Sequence, residues 1–277
     1  MKKKITALCL CVALLAVAVV GASLAYFTDT KSAKNTFTVG NVSIKLIEQE
    51  TVKDADGKVT LQDFTQNKTL VPGKQTQNAV SKIITVENTG KGDAWVWVEL
   101  KIPKALISSD FAKEGAQSGH GDTYNALHIN EYGAFSKDYY DGKSYTVSTI
   151  ADGILTSELK PTDSKMVDFA AENCWDGFDV YKVDDDYVYL RSIMQSKLPA
   201  GKVSLPCLRQ VYMDWRIIAN DDGSYTFPEI KDAKTGATLY AGTTIDKDVK
   251  WEIDVTAYAM QADGFDTAEA AIAAYNQ

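Results

Sequence analysis

Strict alternation of apolar and polar residues sets the narrowest limit on what this chain can fold into. From Ala94 to Ile102 the even positions read Ala94, Val96, Val98, Leu100 and Ile102, and the odd ones Trp95, Trp97, Glu99 and Lys101. Successive side chains of a pleated strand point to opposite faces, so a run of this kind predicts a strand with one face in a core. The same period runs through Trp251, Ile253, Val255, Ala257 and Ala259, and through Val211, Met213, Trp215 and Ile217. Shorter strands are expected at Val80–Asn88, Ser144–Ile150, Phe178–Val183 and Tyr187–Met194.

The punctuation between these runs is turn chemistry. Pro72-Gly73, Asp56-Gly57, Asn88-Thr89-Gly90, Asp141-Gly142, Asp152-Gly153 and Asp222-Gly223 supply residues that accept tight-turn backbone angles. Asn220–Ser224 reads as a hairpin loop joining a strand at Val211–Ala219 to one at Tyr225–Ile230. Many short alternating strands predict a mostly β protein, an antiparallel, jelly-roll-like β-sandwich. Helical pieces are expected near Pro103–Lys113 and Asp163–Asn173, with a short C-terminal helix whose capping box is Asp266 and Glu269. Residues 104–175 form an elaborated middle within one domain, and the polar Ser108–Asp141 stretch reads as an insertion on the sandwich.

The N-terminal 25 residues follow a different pattern. Lys2, Lys3 and Lys4 form a basic head, Ile5–Ala25 carries no charge, and Ser23 and Ala25 are small residues placed for a cut before Tyr26. That is the layout of a cleaved secretory signal peptide, 1–25, leaving 26–277 as the mature chain. The apolar run is also long enough to span a bilayer, so the competing reading is an uncleaved anchor with the bulk of the chain outside. Either way the protein is expected to be exported, to the cell surface or the extracellular matrix. Signal peptidase is then its partner during export, with no stable membrane insertion after cleavage.

Of 29 basic residues, three leave with the signal peptide, so 26 face 37 acidic ones and the formal charge falls to −11. Such a surface repels nucleic acid and anionic lipid. Cys174 and Cys207 remain as the two cysteines of the mature chain; in an oxidising compartment they pair or stay as buried thiols. The chain is long enough to bury a core without such staples.

The stretch AYFTDTKS followed by NTFTVGNVSIKL resembles the secreted TasA and camelysin family of Gram-positive bacteria, whose mature chains begin with a similar aromatic-Phe-x-Asp segment after a dedicated type I signal peptidase has cut. LVPGKQTQNAVSKIITVENTGKGDAWVWVELKI, residues 70–102, is similar to the family's Leu-x-Pro-Gly turn, Asn-x-Gly strand end and alternating strand. WEIDVTAYAMQADGF resembles the closing strand of clostridial relatives, while 104–210 has no such match. The resemblance implies a jelly-roll-like sandwich, export, and assembly into fibres of a biofilm matrix, a homopolymer in which one copy's N-terminal strand completes the sheet of the next. On that reading Tyr26–Ile47 is the donor. Phe37 and Val39 lie on one parity and Val42, Ile44 and Leu46 on the other, with a kink at Gly40-Asn41. An open sheet edge offers unpaired N–H and C=O groups that an extended peptide satisfies, and a head-to-tail contact that does not close generates filaments.

Camelysin-like members are also labelled metallo-endopeptidases, which makes an enzyme one alternative. Common zinc peptidases need two histidines at i and i+4 with a glutamate between them. Here the only histidines are His120 and His128, eight apart with no glutamate between. They read as two exposed loop histidines, with weak metal binding through Asp122 or Glu131 as the alternative. Asp184-Asp185-Asp186 and Asp54-x-Asp56-Gly57 read as solvated acidic turns; an EF-hand from Asp54 would need glutamate where Thr65 stands. Trp95 and Trp97 are either a sugar-binding platform, the second alternative, or are covered by the insertion or by a neighbouring subunit. The expectation is a non-enzymatic structural protein with no catalytic residue, cofactor or metal.

Overall fold

In the computed structural model, which describes residues 28–32, 42–53, 55–56, 59–73, 78–107, 125–131, 165, 167 and 175–276, the alternating segments form two antiparallel sheets packed face to face. Strands are numbered in chain order. The first sheet runs β1 (Thr28–Ser32), β16 (Asp254–Gln261), β6 (Ala94–Pro103), β9 (Tyr187–Ile193) and β8 (Asp179–Val183). The second runs β3 (Val59–Asp63), β2 (Ile44–Lys53), β5 (Val80–Asn88) and β10 (Leu208–Asp214), with β7 (Leu127–Glu131) on the other side of β10. A two-residue β4 (Pro72–Gly73) lies parallel to Met213 and Asp214. Between β10 and β16 the chain makes two small sheets, β11 (Ile218–Ala219) with β12 (Tyr225–Phe227) and β15 (Thr243–Ile245), and β13 (Ile230–Lys231) with β14 (Thr238–Tyr240). The helix α1 (Ala268–Tyr275) follows β16.

The even residues of β6 point inward as their period requires: Val96, Val98, Leu100 and Ile102 are fully buried. They meet Ile44, Ile84, Val86, Leu208, Val211 and Met213 of the facing sheet in one continuous core. Val255, Ala257 and Ala259 of β16 join from the same side. The β-sandwich is therefore built by the alternating segments, and each strand's inner face is its apolar parity.

Several boundaries differ from expectation for local reasons. The alternation through Val211–Ile217 does not make one strand. At Asp214 the carboxylate accepts the Arg216 backbone N–H at 2.8 Å, and Ile217 N–H donates to the Asp214 carbonyl at 3.2 Å, which turns the chain. Trp215 consequently faces outward, 53% exposed. The hairpin loop at Asn220–Ser224 is present, closed by Asn220 N–H to Ser224 O at 2.9 Å and by Gly223 at φ +84°. Pro103 ends β6, and Leu106 N–H donates to Pro103 O in a turn; residues 108–113 of the first expected helix lie outside the described residues. Of the second expected helix only Lys165 and Val167 are described, where Val167 N–H donates to Val203 O and Val203 N–H to Lys165 O; its other residues lie outside the described residues. The C-terminal helix is capped one residue later than expected, by Thr267, whose Oγ1 accepts the Ala270 N–H at 3.2 Å. Ser144–Ile150 and most of the elaborated middle lie outside the described residues.

Trp95 and Trp97 lie on the outer face of the first sheet and are nevertheless 6% and 1% exposed. Their cover is α1, the C-terminal helix. Ala268, Ala271 and Ile272 pack over them with Met260. Tyr275 meets Trp97 edge-on at 5.3 Å, Tyr258 stacks on it at 5.5 Å, and Trp95 Nε1 donates to the Phe265 carbonyl.

Candidate functional site at the edge of the first sheet

The first sheet has two edges of different character. At one, β8 is mostly exposed and its pairing with β9 slips between Val180 and Lys182. A bulge and a charged residue on an edge strand both oppose the addition of another chain. At the other edge the last strand is β1, whose register runs from Thr28 opposite Met260 to Ser32 opposite Thr256. Its sequence, TDTKS, contains no large apolar residue. Backbone hydrogen bonds are therefore the main force that the pairing register supplies for holding it on β16. The partner edge is well supported: β16 is paired along its whole length with β6, from Asp254 opposite Lys101 to Gln261 opposite Ala94.

Of the residues assigned to strand donation, Val42 and Ile44 are buried in the core and Leu46 packs against it. β2 lies between β3 and β5, with Ile44 opposite Asn88 and Gln49 opposite both Ile83 and Asp63. Ile44 and Leu46 thus lie in β2 of the second sheet, paired with β5, and Val42 precedes that strand, while the outer edge of the first sheet belongs to β1. Phe37, Val39 and the cleavage residues Ser23, Ala25 and Tyr26 lie outside the described residues. So does Cys174, whereas Cys207 is buried and its N–H donates to Ile84 O at 2.9 Å.

His128 is not an exposed loop residue. It sits in β7 opposite Tyr212, 5% exposed, with Nε2 at 2.8 Å from Asp214 Oδ2 and its ring stacked on Tyr212 at 4.8 Å. Sequence reading missed this because the partner, Asp214, is 86 residues away. Arg216 grips the same carboxylate through Nε at 2.8 Å and Nη2 at 2.7 Å. Burial by itself would raise the Asp214 carboxyl, but these bonds outweigh it and hold the group well below the usual carboxylate range. Burial, with Asp214 nearby, pushes the Tyr212 hydroxyl up to about 12. His120 and Asp122 lie outside the described residues, as does the side chain of Glu131.

Among the described residues no three His, Cys, Asp or Glu groups converge as a metal site. Asp184 spends its carboxylate on its own turn, accepting from the N–H groups of Asp186 and Tyr187 and from the Tyr189 hydroxyl. Thr65 donates to Glu50, which Lys68 pairs at 2.6 Å. No helix among the described residues is long and apolar enough to cross a membrane; Ile5–Ala25 is not among them.

Fold and edge together define an antiparallel β-sandwich with one bulged sheet edge and one edge formed by an N-terminal strand. Comparison with protein-family models, with the curated proteins and with the solved structures returns no match.

Proposed function

We propose that this chain is an exported structural protein of the TasA and camelysin type, which polymerises into extracellular matrix fibres by exchanging its N-terminal strand between copies. The observation that supports this most is the position of β1: a polar strand at the start of the mature chain, on the outer edge of the first sheet, with β16 as its ladder partner. When β1 leaves, β16 presents a row of unpaired backbone groups that the same five residues of another copy match in the same register. The bonds broken within one molecule are those made between two, so concentration tips the balance, and head-to-tail exchange continues without closing. The bulged β8 edge gives such a filament a single accepting edge per sheet. The location follows from the signal-peptide pattern of residues 1–25, and the homopolymer needs no cofactor.

Electron microscopy of mature protein, 26–277, beside a protein lacking Tyr26–Asn35 tests this. Fibres are expected from the first and folded monomers from the second, since β1 is the outermost strand of its sheet and its sequence, TDTKS, holds no large apolar residue. Fibres from both, or dispersed particles from both, refute strand exchange.

A further inference from the structure

A cleft of about 260 Å³ opens at the end of the sandwich where β16 begins. Phe64, Leu70, Val80, Leu127, Trp251 and Ile253 give it apolar walls, and Asp254 also borders it. Lys82 lines it too, but its charge is met by Glu48 at 2.7 Å and its ammonium lies 4.0 Å over the Phe64 ring. Gln66, Asn67, Lys68 and Glu252 also line it, so the cleft offers an apolar side next to a polar one, with room for one aromatic side chain and a small neighbour. It also lies where β1 ends: Ser32 pairs with Thr256, two residues from Asp254, so a chain leaving β1 emerges beside it. The next nine residues, 33–41, contain two large apolar residues, Phe37 and Val39, on one parity.

Resting on the strand exchange proposed above, we infer that this cleft is the docking site for Phe37 of a second copy, with Val39 beside it. Chain length excludes the molecule's own Phe37. Val42 lies at the opposite end of the sandwich: Ile44 pairs with Asn88, whose side chain bonds Leu198 O, and Leu198 bonds Ala94, which pairs with Gln261. From Asp254 to Gln261 is seven strand residues, a rise of about 24 Å, and the step across to the second sheet only lengthens the separation. Five residues from Phe37 to Val42 reach at most about 18 Å. A chain arriving from another copy has no such return to make. The exchanged strand thus brings an apolar anchor with it, in addition to the backbone ladder of β1.

The test uses mature chains carrying Phe37→benzoylphenylalanine, mixed with ¹⁵N-labelled wild type and irradiated after assembly. Cross-links joining the two isotopes at residues 64–70 or 251–254 are expected; cross-links confined within one copy, or falling elsewhere, overturn the inference. In parallel, Phe37→Ala should raise the lowest concentration that yields fibres by about tenfold or more, and Phe37→Leu should restore most of the loss. If Phe37→Ala assembles like wild type while removal of Tyr26–Asn35 still blocks fibres, the anchor is refuted and strand exchange stands. Fibres from the deletion remove strand exchange itself.

Discussion

Asp214→Asn tests the ion cluster on the outer face of the second sheet. The Asp214 side chain is only 4% exposed, and its two oxygens take the Arg216 fork and His128 Nε2 within 2.8 Å. Asparagine keeps the shape and surrenders the charge. Arg216, 18% exposed at its side chain, then faces a neutral amide whose NH₂ competes with it as a donor. Breaking a buried pair from one side costs about 3–5 kcal/mol, and the partial exposure of Arg216 points to the lower end. The pH dependence follows from the depressed carboxyl. Its folded value lies below the unfolded one of about 3.9, so the stabilisation is fully present above that range and is lost as pH falls toward the folded value. Urea unfolding of wild type and variant should therefore differ by about 3 kcal/mol at pH 7, with the gap narrowing below about pH 4. A gap under about 1 kcal/mol at pH 7, or one that does not narrow in acid, refutes the assignment of this carboxylate as the centre of the cluster.

Ile272→Asp places a charge in the α1 contact and should release the helix, at about 2–3 kcal/mol of local docking. Red-shifted tryptophan emission with an intact sandwich by circular dichroism is the expected result. Gly242→Ala should lower the melting temperature by several degrees: φ is +79°, and a Cβ there would lie 2.8 Å from the Glu229 backbone nitrogen. Ser204→Ala removes the hydroxyl that accepts Val86 N–H at 3.0 Å and donates to Leu205 O at 2.8 Å in the buried interior. Denaturant unfolding should show a loss of about 1–3 kcal/mol, because a buried backbone donor is left unmatched.

Local pattern alone determined the sheet content and its inner face. The period of two in Ala94–Ile102 and Trp251–Ala259 depends only on the pleat, and the residues it marked as inward lie in the core or pack against it. The turn at Asn220–Ser224 was legible for the same reason, since its backbone angles are demanded by residues inside it. What lay beyond the sequence was pairing between distant segments. That Trp95 and Trp97 are covered by α1, that His128 meets Asp214, and that β1 holds the edge while Val42 and Ile44 fill the core all depend on contacts between residues far apart in the chain. A strand's period says which side chains share a face. It cannot say which strand stands beside it or what lies on top, because those are settled by how the two sheets and the helix close on one another.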